Sequence, residues 1–159
     1  MPELYDDRPP GDALVNLAFA GTGALVGTSI AAAVLPDPFG IVHAILSGLL
    51  FAVGTGALLW AYALGVSRSR AVVVTLGGLF FLAGGAAPPD TSRRFRIAFA
   101  VEIVAVVVAA SIRPYTNVAF GVLAPMFGLG LMAVWGGRHG AFPARVDDKV
   151  VRPDTADPS

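Results

Sequence analysis

Apolar and charged positions are sorted into blocks along this chain. Ala13 to Leu35 is a stretch of 23 residues without a charge, and Phe39 to Val66 a stretch of 28 broken only by His43. Ala71 to Ala87 adds 17 more. Ile97 to Ile112 holds one charge, Glu102, and Val118 to Gly136 holds none. A helix crosses a hydrocarbon layer with about 20 apolar residues. That layer offers no water to unpaired peptide groups, so a crossing segment must be helical. The runs are continuously apolar rather than alternating, which argues against a β-barrel. The pattern predicts an all-α, polytopic integral membrane bundle over 13–140, with five transmembrane helices at 13–35, 39–66, 71–87, 95–112 and 117–136.

The punctuation between runs agrees. Leu35-Pro36-Asp37-Pro38 stops the first, because proline disfavours helix in the residue before it. Trp60 and Tyr62 precede Ser67-Arg68-Ser69-Arg70, the order expected at a membrane interface. Pro88 to Arg94 separates runs three and four, and Arg113-Pro114-Tyr115-Thr116-Asn117 makes a tight turn. Residues 1–12 read as an acidic N-terminal tail, and 141–159 as a disordered C-terminal tail of prolines and acids. The N-terminus lacks the basic region of a secretory signal, so the first helix is expected to persist in the mature chain.

Charge changes the picture at the third run. With five spans, Arg8, Arg68, Arg70 and Arg113 face the side opposite Arg93, Arg94, Arg96, Arg138, Arg145, Lys149 and Arg152. If 71–87 is instead re-entrant, Arg113 alone lies apart from the other ten basic residues. The second arrangement satisfies the cytoplasmic preference of Lys and Arg better. Against it stand Val72, Val73, Val74, Leu76, Leu79, Phe80, Phe81 and Leu82, whose insertion gains sum to roughly 3–4 kcal/mol. The expectation is therefore five spans, with four plus a re-entrant segment as the alternative. In both arrangements the C-terminus is expected in the cytoplasm, in a multi-pass protein of the cell membrane.

Composition excludes more than it identifies. The chain is 55% hydrophobic and 14% charged, where soluble domains carry about 25% charged residues. Net charge is zero, which removes the electrostatic footprint of a nucleic-acid partner. The absence of cysteine excludes thiolate metal sites, and no His/Asp/Glu cluster has metal-ligand spacing. Gly136-Gly137-Arg138-His139-Gly140 follows a helix rather than opening one, unlike a phosphate loop. Lysine appears once and arginine ten times among abundant Ala, Gly and Val, the drift of a GC-rich bacterial genome. No cofactor is expected.

Candidate chemistry is sparse. Glu102 is the one acid inside a run, and intramembrane acids face the bundle interior, paired or neutral. Ala98, Ala105 and Ala109 share its face. It reads either as a proton or cation coupling group or as a structural acid fixing helix register. His43 lies one turn into run two. With five spans it enters from the same side as Arg93–Arg96 and could meet Glu102; with four it enters from the opposite side. Arg93, Arg94 and Arg96 form a juxtamembrane cluster suited to topology control and anionic headgroups. Small residues mark helix contacts in lipid. Ala44, Gly48, Ala52 and Gly56 recur every four residues, joined by Gly23/Gly27 and Ala124/Gly128, for internal packing or an oligomer interface. Pro125 should kink the last run by freeing a carbonyl near Gly121.

Loops this short hold no conventional active site, so no enzyme is expected. The reading is a non-enzymatic accessory, assembly or scaffold component that binds membrane lipids or other membrane proteins, itself included as a homo-oligomer. The alternative is a small transporter or channel working through Glu102.

Overall fold

The computed structural model describes residues 11–144; 1–10 and 145–159, most of the two expected tails, lie outside them. Residues 141–144, expected as the start of a disordered tail, instead pair with the backbone at Val73 and Ala86. Helix α1 spans Asp12–Val34 and ends where Leu35 precedes Pro36. Helix α2 spans Pro36–Arg68, with a non-helical Asp37 near its start. After a short helix α3, Leu76–Phe81, comes α4, Pro89–Ile112, with proline in the first turn where its missing N–H costs nothing. A 3₁₀ helix, Asn117–Leu123, then leads into α5, Met126–His139.

Four helices are long and apolar enough to cross a membrane: Asp12–Val34, Asp37–Arg68, Pro89–Ile112 and the joined segment Asn117–His139. The segment over 71–87 differs from the continuous helix expected of it. Its helical part is six residues. Thr75 caps the start by accepting the Gly78 N–H at 3.1 Å. Leu82 then turns left-handed, at φ 52°, and Gly84 and Gly85 follow at φ 65° and 79°. Such φ values suit glycine and stop a right-handed helix. The flanks pair elsewhere: the Val73 N–H donates to Pro143 O at 2.8 Å, and the Ala141 N–H to Ala86 O at 2.9 Å. Leu79, Leu82 and Ala86 are buried, with α3 lying against α5.

Side-chain ties identify the two ends of the bundle. Arg94 Nη1 lies 3.1 Å from Asp12 Oδ1, joining the starts of α4 and α1. Arg68 donates to the carbonyls of Gly137 and Gly140, both at 2.9 Å, and so caps the C-terminus of α5 from the end of α2. At the opposite end Arg113 donates to Ala33 O at 3.1 Å and caps α1. Arg68, Arg94 and Arg138 therefore share one end, and Arg113 occupies the other.

The segment Asn117–His139 runs through the middle. Of its most apolar stretch 61% is buried, against 28%, 22% and 28% for the other three long helices. Pro125 sits where the 3₁₀ helix becomes α. The Gly121 carbonyl that proline cannot engage accepts the Ala124 N–H at 2.9 Å, so the change of helix type satisfies it. The outer surface is aliphatic: Ile30, Leu49, Leu59 and Val104 are each at least 60% exposed.

Candidate functional site

Glu102 lies midway along α4 with no exposed surface. Its face of α4 also buries Ala98, Val106 and Ala109. The carboxyl points between α1 and α5. Oε1 is 2.9 Å from Thr22 Oγ1, and Oε2 has no hydrogen-bond partner among the described residues. Room for it comes from Gly128, where a methyl group would stand 2.6 Å from Oε2. An unpaired buried polar atom costs about 1–3 kcal/mol. The Gly128 backbone N–H faces the carboxyl without reaching good hydrogen-bond geometry, so the site costs stability unless something engages Oε2 more closely.

Thr22 faces two acceptors with one hydrogen. Its Oγ1 is 2.9 Å from the Ala18 carbonyl, the usual back-bond within a helix, and 2.9 Å from Glu102 Oε1. A carboxylate would take the Thr22 proton. A carboxylic acid would donate to Thr22 Oγ1 and return the threonine hydrogen to Ala18. One heavy-atom arrangement thus serves either protonation state.

His43 is fully buried on α2, nearer the Arg113 end. Its Nδ1 is 3.2 Å from Thr28 Oγ1, and Nε2 has no partner among the described residues. Gly121 makes room for it: a methyl there would lie 2.6 Å from Nε2 and 3.5 Å from Val106 Cγ1. His43 and Glu102 are not brought together. Their threonine partners, Thr22 and Thr28, are six residues apart on α1, about 9 Å of helix. Leu25, Val106 and Ala124, all in the main core, fill the level between. The bundle thus holds two polar layers with an apolar layer between them. Ser29 adds a buried hydroxyl without a partner among the described residues on the His43 side, and Ser47, one turn further along α2, adds another at the level of Leu25.

The arginine cluster divides. Arg94 is engaged by Asp12 and by Asn16 Oδ1 at 3.4 Å, and lies over the Phe19 ring at 5.8 Å. Arg96 folds back on Ser92, with Nη2 2.8 Å from its hydroxyl. Arg93 and Arg96 line an outward groove of about 430 Å³ with Ile97 and Ala100. Of the small residues, Gly23, Gly27, Gly48 and Gly56 face outward with nothing within 4 Å of a methyl placed there. Ala52 is exposed, Ala44 half-buried and Ala124 buried. Gly54, outside the four-residue stripe, is the α2 glycine against which the start of α5 packs.

Thr22, Arg68 and Arg113 were not singled out by the sequence reading. A hydroxyl within an apolar run is common, and nothing local pairs Thr22 with an acid 80 positions away. Among the described residues no group of three or more His, Cys, Asp or Glu could hold a metal ion. Comparison of the chain with protein-family models, with curated proteins and with solved structures found no match.

Proposed function

We propose that this chain is a small non-enzymatic component of the cell membrane, crossing it four times with both ends of the chain in the cytoplasm. Its role is to bind lipids or other membrane proteins. One observation supports the insertion above the others. In the four-helix arrangement Arg68, Arg70, Arg93, Arg94, Arg96 and Arg138 gather at one end and Arg113 stands alone at the other. That is the asymmetry by which basic residues orient membrane proteins. Residues 71–87 then form a re-entrant segment on the cytoplasmic side, with Leu79 and Leu82 packed against α5 and Val73, Leu76 and Phe81 turned outward. This differs from the five spans expected from the sequence, which with a cytoplasmic C-terminus would put the N-terminus on the outer side.

The chain has no cysteine, so single cysteines at Ser69, Asp90 and Tyr115 would each carry its sole thiol. Labelling of intact cells with an impermeant maleimide should reach position 115 and spare 69 and 90. Labelling at only one of positions 69 and 90 would refute the four-span arrangement. For the binding role, the expected result is reproducible co-purification with a defined lipid or protein in mild detergent. A bare, partnerless monomer would count against it.

A second reading, ion coupling through Glu102, is supported by its unpartnered Oε2. Acids at this depth are costly and usually mark ion or proton routes. It predicts pH-dependent flux in liposomes that Glu102→Gln abolishes.

A further inference from the structure

We propose that Glu102 is a proton-binding site that exchanges with one side of the bundle only, the side carrying Arg113. The inference rests on the four-span membrane reading and deepens the second functional reading by naming ligand and access.

The donor set selects the proton. Side-chain oxygen at the site comes from Glu102 and Thr22. A bound metal cation takes about six oxygen ligands, and a proton takes one. The two hydrogen-bond arrangements of Thr22 provide for a proton arriving and leaving without movement of heavy atoms. Its hydrogen goes to Glu102 Oε1 when the acid is charged, and to Ala18 O when the acid is protonated and donates in turn. Gly128 keeps the second oxygen clear. Neither α1 nor α5 brings another ionisable side chain to the carboxyl among the described residues. Arg96 and Arg113 lie near the two ends of α4, and His43 lies in the other polar layer.

The surroundings differ along the bundle axis. Toward the arginine-rich end the core continues as four large side chains, Phe95, Leu131, Met132 and Trp135, each at most 4% exposed. This half holds two buried polar atoms without partners of its own among the described residues, Thr55 Oγ1 and Trp135 Nε1. Toward the Arg113 end one aliphatic layer intervenes, Leu25, Val106 and Ala124. Beyond it stand the buried His43 Nε2 and Ser29 Oγ, without hydrogen-bond partners among the described residues, while Ser47 Oγ, one turn further along α2, lies at the level of the aliphatic layer itself. A groove of about 220 Å³ lined by Asp37, Arg113 and Asn117 opens at that end. Water bridging to buried polar groups needs two or more partners; here they stand behind a single aliphatic layer and next to a polar-lined groove, whereas several large apolar side chains intervene toward the other end. Val106 is the thinnest point: Gly121 packs against both its methyl and His43 Nε2.

Dicyclohexylcarbodiimide tests this on the intact chain in proteoliposomes. It reacts with protonated carboxyls in apolar surroundings: the carboxyl oxygen adds to the carbodiimide carbon, the acid proton moves to nitrogen, and the adduct rearranges to a stable acylurea. Acidifying the compartment that faces Arg113 should raise the Glu102 adduct several-fold, and acidifying the other should leave it unchanged. Glu102→Gln should remove the adduct. Val106→Phe, thickening the apolar layer, should slow labelling several-fold. Labelling that follows the opposite compartment, or both equally, or no adduct at all, overturns the proposal. The sidedness is read on the unaltered chain, so it does not depend on any variant folding. Failure of the four-span reading would appear separately, as opposite labelling of cysteines at Ser69 and Asp90.

Discussion

The two glycine-bearing helices that cross in this bundle, α2 and α5, use glycine in opposite ways. In α2 the regular set is Ala44, Gly48, Ala52 and Gly56, one every four residues, and its last three members face outward. In α5 and its 3₁₀ lead the spacing is irregular, yet Gly121, Gly128, Gly130, Gly136 and Gly137 all make close approaches. A helix has 3.6 residues per turn, so a strict four-residue step drifts around it by about 40° each time. The buried positions of α2 are Gly40, His43, Ser47, Leu50, Gly54, Ala61 and Gly65. Their steps alternate three and four, with one step of seven, which holds one face toward a neighbour. A conspicuous four-residue stripe thus leaves the contact face, and the glycines that pack, Gly54 against α5 and Gly65 against Leu79, lie on the other pattern.

The largest effect should follow from adding a methyl at the helix crossing. At Gly54 it would collide with the backbone of Met126 and Phe127, and at Gly130 with the Gly54 carbonyl. Backbone cannot step aside as a side chain can, so Gly54→Ala and Gly130→Ala should each cost about 3 kcal/mol or more. Reversible unfolding in mixed micelles measures this. If Gly54→Ala proved milder than Gly56→Ala, α2 would be rotated from the orientation described, and the contrast would collapse.

Gly128→Ala comes next. Its methyl would meet the Glu102 carboxyl rather than backbone, and a side chain can give way, so the expected cost is about 1–3 kcal/mol. The double variant sharpens the point. In a Glu102→Ala background the obstacle is gone, and Gly128→Ala should cost close to nothing, a coupling of about 1–3 kcal/mol. Additive losses would show that Gly128 is needed for something other than the acid.

These expectations show what was legible in the sequence. Runs one, two, four and five were readable because length and continuous apolarity alone require helix: 13–35 became Asp12–Val34, and 117–136 became Asn117–His139. The helix over 95–112 begins six residues earlier, since Pro89 suits a first turn and the polar residues after it extend the same helix. The third run misled because summed hydrophobicity ignores backbone conformation. Gly84 and Gly85 sit where φ is positive, and the pairing partners at Ala141 and Pro143 are distant in sequence. That error carried into the site. With five spans His43 and Glu102 could meet; in the four-helix arrangement they sit in separate layers. The burial of Glu102 was readable from its alanine face, whereas Thr22 needed the fold.

The smallest effects should lie on the outer stripe. Gly48→Ala and Gly56→Ala add a methyl to open space. Each also replaces glycine, a poor helix former, with alanine, the best one, a gain of up to about 1 kcal/mol. With no contact to lose, stability should hold or rise slightly, in contrast to the loss expected for Gly54→Ala on the same helix. The measurement is a thermal melt in detergent, repeated on dilution. A loss above about 1 kcal/mol that vanished on dilution would mean a second molecule packs on this face, since mass action removes only intermolecular contacts. A loss independent of concentration would mean the face is covered within the chain itself, and the inward and outward assignments of α2 would have to be exchanged.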